Sequence, residues 1–224
     1  MHSGGRFLLP GHAGGGSPLK LLIFTRYPQP GSVKTRLIPT LGAEGACKLH
    51  SLMAKHTIKR LESLRALTEV CFTGLGEKEM QAWLGKTLSY YPQGSGDLGE
   101  RLQRAFTRAF CQGDDKVVVV GTDCPDLTAA HVSRAFELLA EADLVLGPAK
   151  DGGYYLLGLN RLHEHIFASI PWGTAEVLQA TLHKAKQLGL KAVLLEELSD
   201  VDRPEDLRAL GSCNPFQEFV SSTT

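Results

Sequence analysis

The chain has 224 residues, with 24 Lys and Arg balanced by 24 Asp and Glu, a length that suits one domain burying about 70% of its unfolded surface. No segment concentrates basic residues enough for a nucleic-acid surface, and no apolar run approaches the ~20 residues that span a bilayer. Five cysteines without a Cys-x-x-Cys pair argue against a disulfide framework or structural zinc and point to a reducing cytoplasm.

Residues 1–18 are glycine-rich and read as a flexible leader, with Phe7-Leu8-Leu9 too short for a secretory signal. Leu19 to Thr25 forms the first strand, and a loop with Pro28, Pro30 and Gly31 leads into a helix from Ala43 to about Leu64. Thr68–Thr73 is a second strand, Glu77–Leu84 a short helix, and Leu88–Tyr91 a third strand. Leu102, Ala105, Phe106, Ala109 and Phe110 then recur at i, i+3, i+4, i+7 and i+8, the stripe of an amphipathic helix facing a sheet. Val117 to Val120 is an apolar run without alternation, the mark of a strand covered on both faces.

A helix from about Thr128 to Leu139, strands Leu144–Gly147 and Tyr154–Leu159, a helix Ala175–Leu188 and a strand Lys191–Leu195 complete the pattern, before Pro204 opens a short helix. Alternating strands and helices predict a single-domain three-layer α/β sandwich with a mostly parallel central sheet over residues 19–210, followed by a loose tail, 211–224.

Six segments carry candidate chemistry, because ligands of open α/β sheets bind at the carboxyl ends of strands. The loop after the first strand places Arg26, Lys34 and Arg36 within 11 residues, with Gly31 allowing close backbone approach and Thr35 between two of the cations. Such a loop suits a phosphate chain. It is not a Walker A loop, since Val33 precedes Lys34. Gln93, Gly94, Gly96 and Asp97 enter the amphipathic helix; Gln93 can read a base edge, whereas Asp97 with Glu100 also has capping-box spacing.

The central apolar run stops at Gly121-Thr122-Asp123, which presents Asp123 to a cation or polar ligand, or else to the start of the next helix as a cap. Asp151-Gly152-Gly153-Tyr154 is a sharp turn that either presents Asp151 to substrate or simply closes a hairpin. Trp172 lines a pocket or plugs the core. Asp202 with Glu205 fits a helix cap, but Asp123 and Asp202 together would also suit a magnesium or manganese ion that binds substrate phosphates.

Taken in order, Arg26-Tyr27-Pro28-x-x-Gly31-x-x-Lys34-Thr35-Arg36-Leu37, Gln93-Gly94-x-Gly96-Asp97-Leu98-Gly99, Gly121-Thr122-Asp123-x-Pro125, Asp151-Gly152-Gly153-Tyr154-Tyr155 and Asp200-Val201-Asp202-x-x-Glu205-Asp206-Leu207 resemble one family. It is the radical-SAM/selenodomain-associated transferases, glycosyltransferase-like proteins often linked to arsenosugar or related modified-metabolite pathways. The resemblance implies the GT-A fold of nucleotide-diphospho-sugar transferases, a nucleotide or nucleotide-sugar donor, a small-molecule acceptor, and a divalent metal at Asp123. The Asp-x-Asp of many glycosyltransferases is reduced to Asp123-Cys124-Pro125.

The first loop and the terminal Asp202-x-Pro204-Glu205-Asp206-Leu207 are also similar to nucleotidyltransferases that join a nucleoside triphosphate to a phosphorylated metabolite. The expected site therefore has Arg36 and Asp151 as catalytic residues. Arg26, Gly31, Lys34, Thr35, Arg36, Gln93, Gly94 and Asp97 bind nucleotide, Asp151, Gly152, Gly153, Tyr154 and Trp172 bind substrate, and Asp123 and Asp202 hold the metal. Glycosyl transfer leads nucleotidyl transfer, and a non-catalytic nucleotide-sensing module is the alternative from another class.

Overall fold

The computed structural model describes residues 18–210 and 216–220, so nearly all of the expected leader and most of the tail lie outside the described residues. Seven strands form one sheet: β1 (Leu19–Arg26), β2 (Thr68–Thr73), β3 (Ser89–Pro92), β4 (Lys116–Val120), β5 (Leu144–Pro148), β6 (Tyr154–Leu159) and β7 (Ala192–Leu194). Their spatial order is β3-β2-β1-β4-β6-β5-β7. All pairings are parallel except those of β6, which runs antiparallel between β4 and β5. This is the mostly parallel α/β sheet expected, in a GT-A-type fold.

Alternation along the central strands divides the core into two layers. Leu21, Ile23, Val118, Val120 and Val145 face one side, where they meet Val132, Ala135, Phe136 and Leu139 of and just after α4 (Ala129–Leu138). Leu22, Val117, Val119, Leu144 and Leu146 face the other, against Leu102, Ala105, Phe106 and Ala109 of α3 (Leu98–Cys111). The i, i+3, i+4 stripe of α3 thus covers the sheet as its spacing predicts. Burying these side chains stabilises the fold by about 1.5–3 kcal/mol for each large one.

Helix boundaries shift where backbone chemistry intervenes. The helix α1 (Ile38–Arg60) begins earlier than expected, but its backbone breaks at Gly42 (φ 69°), so the regular part starts at Ala43. At the other end, the tighter turn Glu62–Leu67 replaces the final helical turn. The helix α2 spans Glu77–Leu84 as expected, while α5 (Val177–Gln187) starts two residues late. Thr174 does not cap α5: its hydroxyl accepts from Glu176 N and donates to Pro171 O, making a turn before the helix. Within the expected tail, Gln217–Val220 form a helical turn, and Phe216 and Phe219 are buried beside Leu49, Met53 and Leu207. Two phenylalanines three residues apart share one face of such a turn, and that anchors part of a segment expected to be loose.

Candidate active site

The loops after β1, β3, β4, β5 and β7 leave the same edge of the sheet, and the stretch with Trp172, which follows the antiparallel β6, returns to it. The stretch after β1 runs through Gly31 (φ +81°) to Lys34, which adopts a left-handed conformation (φ 48°), and into the helical turn Thr35–Leu37. Thr122 and Asp123 follow β4, and the two strand ends are tied by the Thr25 and Thr122 hydroxyls, 3.4 Å apart. The Asp200–Asp202 segment docks beside them through Val201 N, which donates to Asp123 O at 2.9 Å.

Asp123 and Asp202 converge as expected, and what lies between them is the ammonium of Lys34. Its Nζ is 2.6 Å from Asp123 Oδ1 and 3.8 Å from Asp202 Oδ1, and it donates to Val201 O at 2.5 Å. The Lys34 side chain is only 3% exposed. The expected three-cation phosphate clamp is therefore arranged differently. Lys34 is committed to the two aspartates, and Arg26 curls back to Thr73 Oγ1 and Ser32 O. Arg36, half-exposed, reaches Asp202 Oδ2 at 2.7 Å and faces open space.

The cleft beside this cluster has a volume of about 360 Å³ and is lined by Asp123, Asp151, Asp200, Asp202, Arg36 and Trp172, among others. Losing hydration at its floor would raise the Asp123 carboxyl, but Lys34 more than offsets this and holds it below the ordinary range. Asp123 does not cap the following helix: Thr128 does, in a reciprocal capping box with His131. The Asp202 carboxylate meets Lys34 and Arg36, and it is Asp206 Oδ2 that takes the amides of Asp202 and Arg203.

Asp151 lies at the tip of the β5–β6 hairpin, where its Oδ1 accepts from Gly153 N at 2.8 Å. The turn closes a hairpin, and Asp151 also lines the cleft. Gly152 (φ +89°) fits against the backbone just ahead of α5 so closely that a Cβ would stand 2.1 Å from Ala175 O. Trp172 packs over Gly99, where a Cβ would come within 2.3 Å of the indole Nε1, and meets the Tyr154 ring edge-on at 6.4 Å. It is half-buried, lining the cleft while also packing against the core on the α3 side of the sheet.

Gln93 and Asp97 are engaged within the chain. The Gln93 amide nitrogen donates to Thr25 O and Cys71 O, bracing the ends of β1 and β2. Asp97 makes the expected capping box with Glu100. Gly94 (φ +80°) belongs to the turn that Arg104 holds through Gln93 O and Ser95 O. Thr35 is exposed at the start of its turn.

Asp200 was not singled out from sequence as a site residue. Burial first, then the charges of Asp151 and Asp206, push its carboxyl up to about 6. The signal in the sequence was its place in Asp200-Val201-Asp202, a second carboxylate two residues from a metal candidate.

Among the described residues no three His, Cys, Asp or Glu side chains cluster as a complete metal site. Two converging carboxylates nonetheless match a magnesium-type site, which takes one or two protein carboxylates and completes its shell with substrate phosphates and water. Among the described residues no helix is long and apolar enough to cross a membrane, and Cys47, Cys71, Cys111 and Cys124 are free thiols.

Residues 57–174 match the family described as "Uncharacterized protein conserved in bacteria (DUF2064)". A provisionally named nucleotide-diphospho-sugar transferase from Desulfovibrio desulfuricans G20 is 32% identical with a TM-score of 0.84, over 92% of this chain and 94% of that one. The 2-phospho-L-lactate guanylyltransferase of Methanocaldococcus sp. (strain FS406-22) is 25% identical over 182 residues, 79% of this chain and 74% of that protein. In fold alone, the chain is similar to glucosyl-3-phosphoglycerate synthase from Mycobacterium tuberculosis, solved with Mn2+, uridine diphosphate and phosphoglyceric acid. That structure is 13% identical with a TM-score of 0.54, covering 92% of this chain and 77% of its own.

Proposed function

The chain belongs to the DUF2064 family, and on that premise we propose that it is a cytoplasmic, metal-dependent transferase that moves a glycosyl group from a nucleotide-activated donor to a small-molecule acceptor. The observation that carries this reading is the make-up of the cleft: four aspartates, two arginines and an indole, all opening from the carboxyl edge of the sheet. Carboxylates accept hydrogen bonds from hydroxyls, and an aromatic face covers the apolar side of a sugar ring. A phosphorylated acceptor would instead meet an excess of negative charge.

In this mechanism Arg36 lies where charge develops on the departing nucleoside diphosphate, with guanidinium nitrogens that can bond its oxygens. Asp123 and Asp202 would hold the divalent cation, which when bound supplies further neutralisation of the diphosphate. Asp151 keeps an oxygen beyond the one bonded to Gly153 N and uses it to orient a hydroxyl of the sugar or acceptor. Trp172 and Tyr154 form the wall of the sugar subsite. Gln93, Gly94 and Asp97 shape the nucleotide side through backbone support, and Gly31 and Thr35 let the first loop approach the phosphates.

The similarity to a guanylyltransferase favours a second reading, in which the same edge joins a nucleoside triphosphate to a phosphorylated metabolite. One assay separates the two. The protein is incubated with magnesium or manganese and a panel of nucleotide sugars, and separately with nucleoside triphosphates and phosphorylated hydroxy acids. Acceptor-dependent release of nucleoside diphosphate is the expected result, whereas pyrophosphate release establishes the second reading. Tight nucleotide binding without either product would establish a sensing module.

A further inference from the structure

We propose that Lys34 is a built-in competitor for the divalent cation: its ammonium holds the Asp123 and Asp202 carboxylates in the free protein, and a metal ion takes them only by displacing it. The inference rests on the metal part of the proposed function and adds an order of events to it.

Three observations carry the argument. The ammonium is almost fully buried, 2.6 Å from one carboxylate and 3.8 Å from the other, so it occupies the space between the two groups that would ligate a metal. A divalent ion binds carboxylate oxygens at about 2.0–2.6 Å, which would place it against the ammonium, and two cations at that separation repel strongly away from bulk water. The two therefore exclude each other.

The second observation is the third partner. Lys34 also donates to Val201 O, in the residue immediately before Asp202. One ammonium thus fixes the spacing between the β4 end and the Asp200–Asp202 segment and relieves the repulsion of two converging carboxylates when no metal is bound. The third is backbone conformation. Lys34 is one of two non-glycine residues with positive φ among the described residues, a conformation held against its own preference by surrounding contacts. Gly31 (φ +81°) and Gly42 (φ +69°) bracket the segment, and a Cβ at either would meet nothing within 4 Å. Release of Lys34 relaxes the strained residue, and the flanking glycines accommodate the change.

A consequence follows for binding order. A polyphosphate offers the displaced ammonium a new anionic partner beside Arg36, so metal and donor phosphates bind as a coupled pair. The metal alone must displace Lys34 without that compensation, and its apparent affinity is the intrinsic one multiplied by the fraction of protein in which Lys34 has moved away.

The test uses Mn2+ alone, with the fraction bound read from the electron paramagnetic resonance signal of the free ion. Lys34→Met keeps the apolar stem and removes the ammonium, and it is expected to bind Mn2+ about tenfold or more tightly than the unaltered protein. Adding Asp123→Asn to Lys34→Met should abolish that gain. Equal affinity in the unaltered protein and Lys34→Met overturns the exchange alone. Failure of both to bind Mn2+ overturns the exchange together with the two-aspartate metal reading. A measurement on the unaltered chain guards against misfolding of the variants: amine labelling followed by mass spectrometry, in which saturating Mn2+ should raise the labelling of Lys34 but not of the exposed Lys78. Unchanged labelling of Lys34 overturns the proposal.

Discussion

Substitution of Gly152 by alanine isolates the contact that fixes the Asp151 turn. The new Cβ carries two costs. A left-handed backbone costs an L side chain roughly 1–2 kcal/mol, and Gly152 has φ +89°. Its Cβ would also stand 2.1 Å from Ala175 O and 2.7 Å from Ala175 C, backbone atoms just ahead of α5 that have little freedom to retreat. Overpacking of that kind typically adds about 1–3 kcal/mol.

Gly152→Ala should therefore destabilise by about 2–5 kcal/mol, a large part of the 5–15 kcal/mol typical of a domain. Gly113 supplies the control, since it has φ +96° but a Cβ there meets nothing within 4 Å. Gly113→Ala carries the backbone cost alone, about 1–2 kcal/mol. The measurement is equilibrium unfolding in urea at pH 7, with the slope unchanged and the midpoint shifted. A destabilisation of Gly152→Ala no larger than that of Gly113→Ala would refute the reasoning, because the two share the backbone cost and differ only in the Ala175 contact.

Three further outcomes are expected. Arg36→Ala should lower kcat/KM by about 10- to 100-fold through loss of charge-assisted bonds to the departing diphosphate, yet move stability by less than ~1 kcal/mol because its ion pair with Asp202 is half in water; a large stability loss with intact turnover would contradict this. Asp151→Asn retains an oxygen for Gly153 N, so it should slow turnover far more than it weakens nucleotide binding, and equal losses in both would move Asp151 to the nucleotide side. Asp143 ties β7 to β5 by accepting from Lys191 N, and that bond holds its carboxyl below the ordinary range. Because the folded value lies below the unfolded one, the stabilisation is present above about pH 4 and is lost as pH falls through the folded value. Asp143→Ala should cost about 1 kcal/mol at neutral pH, and the gap to the unaltered protein should close in acid; a gap that widens in acid would refute the sign.

Much of the fold was legible because its signals are local. Val117–Val120 lacks polar alternation, Asp97 and Glu100 have capping spacing, and the α3 stripe repeats every three to four residues, and each needs only its neighbours to be read. Convergence of Asp123 with Asp202 was also legible, since strand ends at one sheet edge bring distant carboxylates together. The antiparallel entry of β6 was legible only in part, because the Asp151-Gly152 turn reads as closing a hairpin while the surrounding alternation of strands and helices suggests parallel crossovers. The pairing of Lys34 with the aspartates was hidden for a different reason: a cation in a loop looks alike in sequence whether it faces solvent or turns inward. Its left-handed φ, which turns it inward, leaves no mark in the residue type.

The bond from Lys34 to Val201 O joins residues 167 positions apart, and the Arg36–Asp202 pair spans 166. A ribosome adding about 5–20 residues per second takes roughly 10–30 s to cover that interval. Throughout it, a nascent chain carries its basic loop without Val201 and Asp202, and for roughly the first half without Asp123 as well. On the proposed reading of the cleft, chains that stop short of Asp202 are expected to be inert, however much of the sheet they have formed. The proposed site is complete only when the Asp200–Asp202 segment docks against the loop after β1, so its turnover would report that two distant parts of the chain have met.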